Sequence, residues 1–326
     1  MRNFSLATSA STIAIIAGSG SAWAEAHDSS LTGYTLSLEG GVGTIDNPWV
    51  DKLSSGGSDG EDYEDKFGDS SHTSFMGSVS LSRERAPMKD VSVGLTFGGS
   101  LDTEADFRVD DIFSGDPGVA SFSTEVSQDF SFAALDVELG QTIPLAAANV
   151  RYHYGLRGLS TSTSLDKIGE LRGSGSGSGG SSFSISAAGR IESTFLGIGP
   201  RAGIGFSTTP ASAPALGNFG VSGNLGASVL FGNREDTSSF SISNIGSPFF
   251  DSSFSSSFSE TESDSKTVFG LDAQIAVDYN LSPTSKLSAG YQLQQFWNVD
   301  VVSDEDTDDR EPRLIQGVFV GFTTTF

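Results

Sequence analysis

Apolar and polar residues alternate with a period of two in about ten separate stretches of this chain, each about the 9–11 residues a tilted β-strand needs to cross a bilayer. In the cleanest stretch Phe269, Leu271, Ile275, Val277 and Tyr279 alternate with Asp272, Gln274, Asp278 and Asn280. A period of two puts the two sets on opposite faces of a strand. The same pattern sets Val91, Val93, Leu95 and Phe97 against Ser92, Gly94 and Thr96, and Val150, Tyr152, Tyr154 and Leu156 against Arg151, His153 and Arg157. The final stretch, GVFVGFTTTF, alternates up to Phe326. Two stretches change parity. Phe130 and Phe132 oppose the parity of Leu135, Val137 and Leu139, which predicts a bulge, and the segment at 185–207 changes near Gly197–Pro200.

Alternation alone also suits a soluble sandwich, but the connections sort in a way that a sandwich does not require. Short turns (ERAPMKD, TIPLAAAN, TTPASAPALGN, LSPTS) take turns with long loops at about 45–72, 103–126, 163–184, 233–265 and 300–311. Short turns at one end and long loops at the other are the pattern of outer-membrane barrels. The formal charge of -23 sorts likewise: the long loops hold about 29 acids against about 7 bases, and the apolar faces carry almost no charge. A lipid-facing Arg or Lys at mid-bilayer costs about 2–4 kcal/mol, which gives that exclusion a cause. Trp49, Tyr154, Tyr279, Tyr291 and Trp297 are expected near segment ends, as interfacial girdles. The expected fold is all-β, a transmembrane antiparallel up-and-down barrel of about ten strands (eight to twelve), with short periplasmic turns and long acidic extracellular loops.

The first 24 residues read as a secretory leader: Arg2, an apolar run around IAIIAG, and Ala22-Trp23-Ala24 as the cleavage site. The barrel is then expected over 25–326, exported to a Gram-negative outer membrane. No later run of apolar residues is long enough for a transmembrane helix. There is no Cys, so neither disulfides nor a thiolate-bound metal are available. An open strand edge is untenable in lipid, so the last strand must pair with the first. The closing strand has the form of a barrel-assembly signal, with Phe322 and the terminal Phe326 as its signal residues.

YGLRGL (154–159), FLGIGPRAGIGF (195–206), LGASVLFG (225–232), AGYQLQQFW (289–297) and the closing strand resemble the Legionella-type major outer membrane protein and its pore-forming relatives. The resemblance covers roughly residues 135–326 and implies a pore-forming barrel. Without Cys, a disulfide-linked surface network is not implied here.

The expected inward positions carry Glu39, Asp136, Glu138, Glu192, Asp272 and Asp278, with Arg151, His153, Arg157, Arg190 and Arg201. A turn at Pro144–Leu145 would place Glu138 opposite Arg151 and Asp136 opposite His153. Such a lining can bias ion passage, or it can satisfy itself in internal salt bridges and plug the lumen. Ten strands allow a narrow passage at best, and the abundant inward Gly and Ser suggest room for one. The sequence therefore favours a porin-like, cation-favouring pore, with a non-conducting structural or surface-binding barrel as the alternative.

Other functions are weakly supported. Asp304, Asp306 and Asp308 begin like a calcium loop, but Asp309 stands where Gly is needed and Ile315 where Glu is needed. No cofactor or metal is expected. Ser164–Lys167 and Ser263–Lys266 fit S-x-x-K, and Gly175, Gly177 and Gly180 fall in a low-complexity run, without the surroundings catalysis requires. An enzyme is not expected. The acidic balance disfavours nucleic acid. Expected partners are outer-membrane lipids, lipopolysaccharide and the assembly machinery, with a homo-oligomer left open. The Ser/Phe-rich stretch 238–258 reads equally as an external hairpin, an inward plug or an extra strand pair.

Overall fold

The computed structural model describes residues 33–46, 71–101, 104–109, 118–145, 148–175, 182–208, 218–245, 254–299 and 312–326. The expected leader, Trp49, the acids from Asp51 to Asp69 and the 300–311 run lie outside these residues.

The described strands are β1 (Tyr34–Asp46), β2 (Ser71–Ala86), β3 (Lys89–Ser100), β4 (Glu104–Val109), β5 (Gly118–Pro144), β6 (Asn149–Gly175), β7 (Ser182–Ser207), β8 (Phe219–Ile245), β9 (Phe254–Ser282), β10 (Ser285–Trp297) and β11 (Arg313–Thr325). Ten of them form a closed antiparallel ring, because β1 pairs with β11 and β3 passes directly to β5. The short β4 stands outside the ring and pairs only with upper β5, Glu104 opposite Ser127 and Val109 opposite Phe122. Closure joins Thr35 to Thr325 at one end of the seam and Ile45 to Ile315 at the other. It leaves no open edge within the lipid layer, where an unpaired backbone group costs several kcal/mol.

The strands are unequal. β1, β3, β10 and β11 have 12 or 13 residues, about one bilayer crossing, whereas β5 to β9 have 26 to 29. The stretches expected as long loops at 163–184 and 233–265 are therefore largely strand. β6 and β7 continue the ladder to Ser174 opposite Ser182, and β8 and β9 to Asn244 opposite Phe254. The 238–258 stretch is thus an external extension of the β8–β9 hairpin as far as it is described. These strands rise beyond the rim on the side away from the short turns.

The expected bulge is absent from β5, and β7, which also changes parity, is regular too. β5 holds one register against β6 from Gly118 to Pro144, and β7 one register against β6 throughout. What changes is the environment of each face. In the lower barrel Leu135, Val137, Leu139, Leu156, Leu196, Ile198, Phe231 and Phe269 point outward and are exposed to lipid. Above them the apolar residues turn inward and the outer face turns polar. The exchange falls between Phe132 and Leu135 on β5, Leu156 and Leu159 on β6, Phe195 and Leu196 on β7, Leu230 and Phe231 on β8, and Val268 and Phe269 on β9. An outer face that meets hydrocarbon below and water above must change polarity without changing geometry.

The aromatics do not all sit at the rims. Phe219 and Tyr279 pair there, ring centroids 5.1 Å apart, and Trp297 ends β10. Tyr154 lies opposite Leu139 and Ala202, and Tyr291 opposite Ile275 and Val318, within the apolar band.

Candidate functional site

In the lower barrel, period two aims Asp136 and Glu138 on β5, Arg151, His153 and Arg157 on β6, Arg201 on β7, and Asp272 and Asp278 on β9 into the lumen. Arg157 is fully buried. Its Nε and Nη2 donate to the two oxygens of Asp136, both at 2.7 Å, and its Nη1 donates to Asp272 Oδ1 at 3.0 Å. Arg201 Nε donates to Glu138 Oε1 at 2.6 Å, and Nη2 to Asp272 Oδ2 at 2.9 Å; Nη1 also reaches Asp272 Oδ1. His153 Nδ1 stands 3.0 Å from Glu138 Oε1, and its Nε2 3.1 Å from Asn224 Oδ1. Arg151 donates to Asp90 at 3.0 and 2.6 Å and comes within 3.9 Å of Glu138. Buried charges are costly unless paired and hydrogen-bonded, and bidentate guanidinium–carboxylate pairs meet that need most fully.

Glycine makes this network geometrically feasible. Arg201 on β7 reaches Asp272 on β9 across Gly226 of β8, where a Cβ would meet both partners. His153 on β6 likewise crosses Gly203 of β7 toward Asn224, and Arg151 crosses Gly140 of β5 toward Asp90. At these three glycines the expected space is occupied by neighbouring side chains lying along the wall.

Glu39 Oε2 accepts from Ser78 and from Gln274, each at 3.0 Å, and Asp278 accepts from Ser288 at 2.6 Å and Lys286 at 3.2 Å. Two candidates lie elsewhere. Arg190 and Glu192 share the outward parity of Leu196 on β7, above the apolar band, where they pair with each other at 2.5 Å and are about half exposed. The expected facing pairs are also displaced. The register runs from Pro144 opposite Asn149, so Glu138 faces Gly155, Asp136 faces Arg157 and Arg151 faces Thr142. Glu138 meets His153 and Arg151 along the barrel wall instead.

The inward residues that sequence reasoning missed lie in the upper barrel. Ile45, Met76, Phe130, Phe132, Ala134, Leu159, Phe195, Leu230, Val268, Phe296, Val299 and Ile315 form one buried apolar cluster inside the ring. Phe132 packs on Phe296 at 5.4 Å and lies 6.3 Å from Phe130, whose ring holds the guanidinium of the buried Arg313 at 5.6 Å. The parity change at Phe130 and Phe132 was the sequence signal for this layer. Below it, at the end with the short turns, a polar cavity of about 490 Å³ is lined by residues including Ser80, Asp90, Asp136, Glu138, Arg151 and Arg201.

Outside the membrane layer, Arg172 beside Glu170 holds that carboxyl below its ordinary value, and Lys266 does the same for Asp264. Hydrogen bonding to Glu192 raises Arg190 further. Ser164 and Lys167 fall on opposite faces of β6, and Ser263 and Lys266 on opposite faces of β9, so neither pair can share a proton. At the lower rim Phe326 N donates to Tyr34 O at 2.9 Å, and Phe322 faces outward between Leu38 and Leu287.

A closed ring of ten strands, an apolar outer band and a polar extension on one side define an outer-membrane β-barrel. The chain belongs to the family of the Legionella pneumophila major outer membrane protein precursor, which it matches over residues 96–324. No curated protein matches it. Among solved structures it is similar to Neisserial surface protein A (11% identity, covering 90% of this chain and 98% of that one, TM-score 0.31). It is also similar to a major outer membrane protein from Thermus thermophilus (15% identity, 90% and 99% covered, TM-score 0.28). The outer membrane protease OmpT from Escherichia coli is similar at 9% identity, with 93% and 99% covered and a TM-score of 0.35.

Proposed function

We propose that this protein is a structural, non-conducting barrel in its resting state, which anchors a long extracellular sheet to the outer membrane. The observation that carries this reading is the doubly filled lumen. A layer of paired charges around Arg157 and Arg201 lies beneath a buried apolar layer around Phe132, Phe195 and Phe296. An ion crossing the second layer would give up much of its hydration among apolar side chains, at a large cost.

The porin-like reading, cation-favouring at its acidic mouths, is the second one. It draws support from the polar cavity that enters from the turn side as far as Asp136, Glu138 and Arg201. In that reading the apolar layer is a gate that must move. Single-channel currents of the refolded chain in a planar bilayer under a salt gradient separate the two. Silence agrees with the structural barrel; discrete cation-favouring steps from the unmodified chain overturn it.

The reading also includes export with loss of residues 1–24, recognition of Phe322 and Phe326 by the assembly machinery, contact with lipopolysaccharide, and no catalysis. A homo-oligomer is compatible with it. Its second half rests on the extension: five strands of 26 to 29 residues are far longer than a bilayer requires.

A further inference from the structure

Five long strands leave the barrel on one side only, so the sheet they form has two edges outside the membrane. One edge is covered, because β4 pairs with upper β5. The other is open. β10 accompanies β9 only as far as Trp297 opposite Phe269, and beyond that Phe254 to Val268 pair with β8 on one side and with no described strand on the other.

Two hydrogen bonds fix the direction of the backbone along this edge. Asn280 N donates to Asn218 O, so even-numbered residues of β9 turn their backbone groups toward β8. Thr267 O accepts from Asn298 Nδ2 at 3.1 Å, just where β10 ends, so odd-numbered residues turn theirs away. The register against β8 does not shift, so the alternation continues upward. Ser255, Ser257, Ser259, Thr261, Ser263 and Ser265 therefore direct N–H and C=O groups to the open side.

Edges of this kind are commonly blunted by proline, a bulge or lysine. Residues 254–268 contain no proline and no bulge, and Lys266 is held by Asp264 at 2.5 Å. The odd positions carry only Ser and Thr, whose small side chains leave the edge approachable. On the even face stand Phe254, Phe258, Glu260 and Glu262. Glu260 lies opposite Ser238, and Glu262 opposite Asp236, which is already paired with Arg234 at 2.8 Å. Neither glutamate has a cationic partner among the described residues.

We propose that the free edge of β9 is a docking site for an extended, basic segment of a partner protein, which adds a strand to the extracellular sheet and sets Lys or Arg beside Glu260 and Glu262. Backbone pairing supplies the attachment and the alternate side chains supply the choice of partner. Charge argues against the chain's own segments. The 300–311 stretch is strongly acidic, like charges across a strand pair repel, and a formal charge of -23 opposes a second copy.

The test uses the full chain refolded in detergent micelles, with a synthetic peptide of four Lys-Thr repeats and a Glu-Thr peptide of equal length as the control. The Lys-Thr peptide is expected to slow amide exchange at the odd positions from Ser257 to Ser265 by about tenfold or more, and to bind more weakly as salt rises. Thr261→Pro removes one outward N–H and the hydroxyl contact with Thr237, spares the backbone ladder to β8, and is expected to abolish binding while the barrel keeps its heat-modifiable mobility. Glu260→Gln with Glu262→Gln is expected to weaken binding and keep the fold. Unchanged exchange, equal binding of the acidic peptide, or full binding by Thr261→Pro would each overturn the proposal. Slowing that depends on protein concentration without peptide would overturn it too, in favour of a second copy.

Discussion

Arg201 and Asp272 pair across an intervening strand: one stands on β7, the other on β9, and between them Gly226 of β8 has no side chain to separate them. A Cβ at Gly226 would fall 2.5 Å from Arg201 Nη1 and 2.6 Å from Asp272 Oδ2. The pair ties three strands into one unit, and Arg157 extends it to Asp136 on β5.

Asp272→Ala removes the carboxylate shared by both arginines. It is expected to cost about 3–5 kcal/mol, because uncompensated charge remains buried. Gly226→Val acts in the same direction by wedging the pair apart. Asp272→Leu combined with Arg201→Met is expected to cost less than Asp272→Ala, since no lone charge is left. Urea unfolding in detergent micelles measures all three. A loss below about 0.5 kcal/mol for Asp272→Ala, the size of an ordinary surface change, would show that the ionic layer does not hold the barrel.

Phe132 on β5 and Phe195 on β7 stand on either side of β6, and both lie in the apolar layer. Truncating both to Ala removes two rings from the cross-section, and each change alone is expected to cost about 3–5 kcal/mol. If this layer seals the lumen, the double variant gives discrete current steps in a planar bilayer where the unmodified chain gives none. A silent double variant that still folds would place the seal in the ionic layer instead.

Much of this was legible in the sequence, and the failures share a cause. Period two identified the strands and the inward face of Asp136, Glu138, Arg151, His153, Arg157, Arg201, Asp272 and Asp278, because alternation is local. The partners across strands were not legible. The ladder begins at Pro144 opposite Asn149, an offset no short-range signal gave, and it sets Arg157 rather than His153 opposite Asp136. Arg190 and Glu192 would face inward only if β7 changed geometry near Gly197–Pro200, but its change of parity marks its passage from lipid to water. Inward glycines predict room in the lumen. Only the fold reveals that Arg201, His153 and Arg151 lie over three of them.

Glu170 accepts from Arg172 at 2.7 and 2.8 Å and from Ser184 at 2.9 Å, at the outer end of the β6–β7 hairpin. Its carboxyl is held below 4.5. A carboxyl lowered by folding stabilises the folded chain above its unfolded value, and this contribution fades as pH falls through the lowered one. Acid below about pH 4.5 is therefore expected to loosen this end of the hairpin, only slightly because the pair is fully exposed. Carboxylate NMR checks the cause: the Glu170 midpoint should lie below 4.5 and rise in Arg172→Gln. An ordinary midpoint in the unmodified chain would mean that the pair does not form in solution.

Ile275 and Ser162 test where the outer face changes solvent. Ile275 points outward in the middle of the apolar run of β9, between Phe269 and Leu281, and is 57% exposed. Ser162 points outward on β6 six residues beyond Leu156, on the polar extension. Both are exposed outward positions, so packing against protein does not distinguish them. Lipid does. Ile275→Arg is expected to cost about 2–4 kcal/mol, the price of a cation near the bilayer midplane, and Ser162→Arg about 0–1. Refolding equilibria into lipid vesicles read both values. Equal costs would mean that the polarity exchange between Leu156 and Leu159 does not mark the membrane surface. The extension would then have to be redrawn as part of the span.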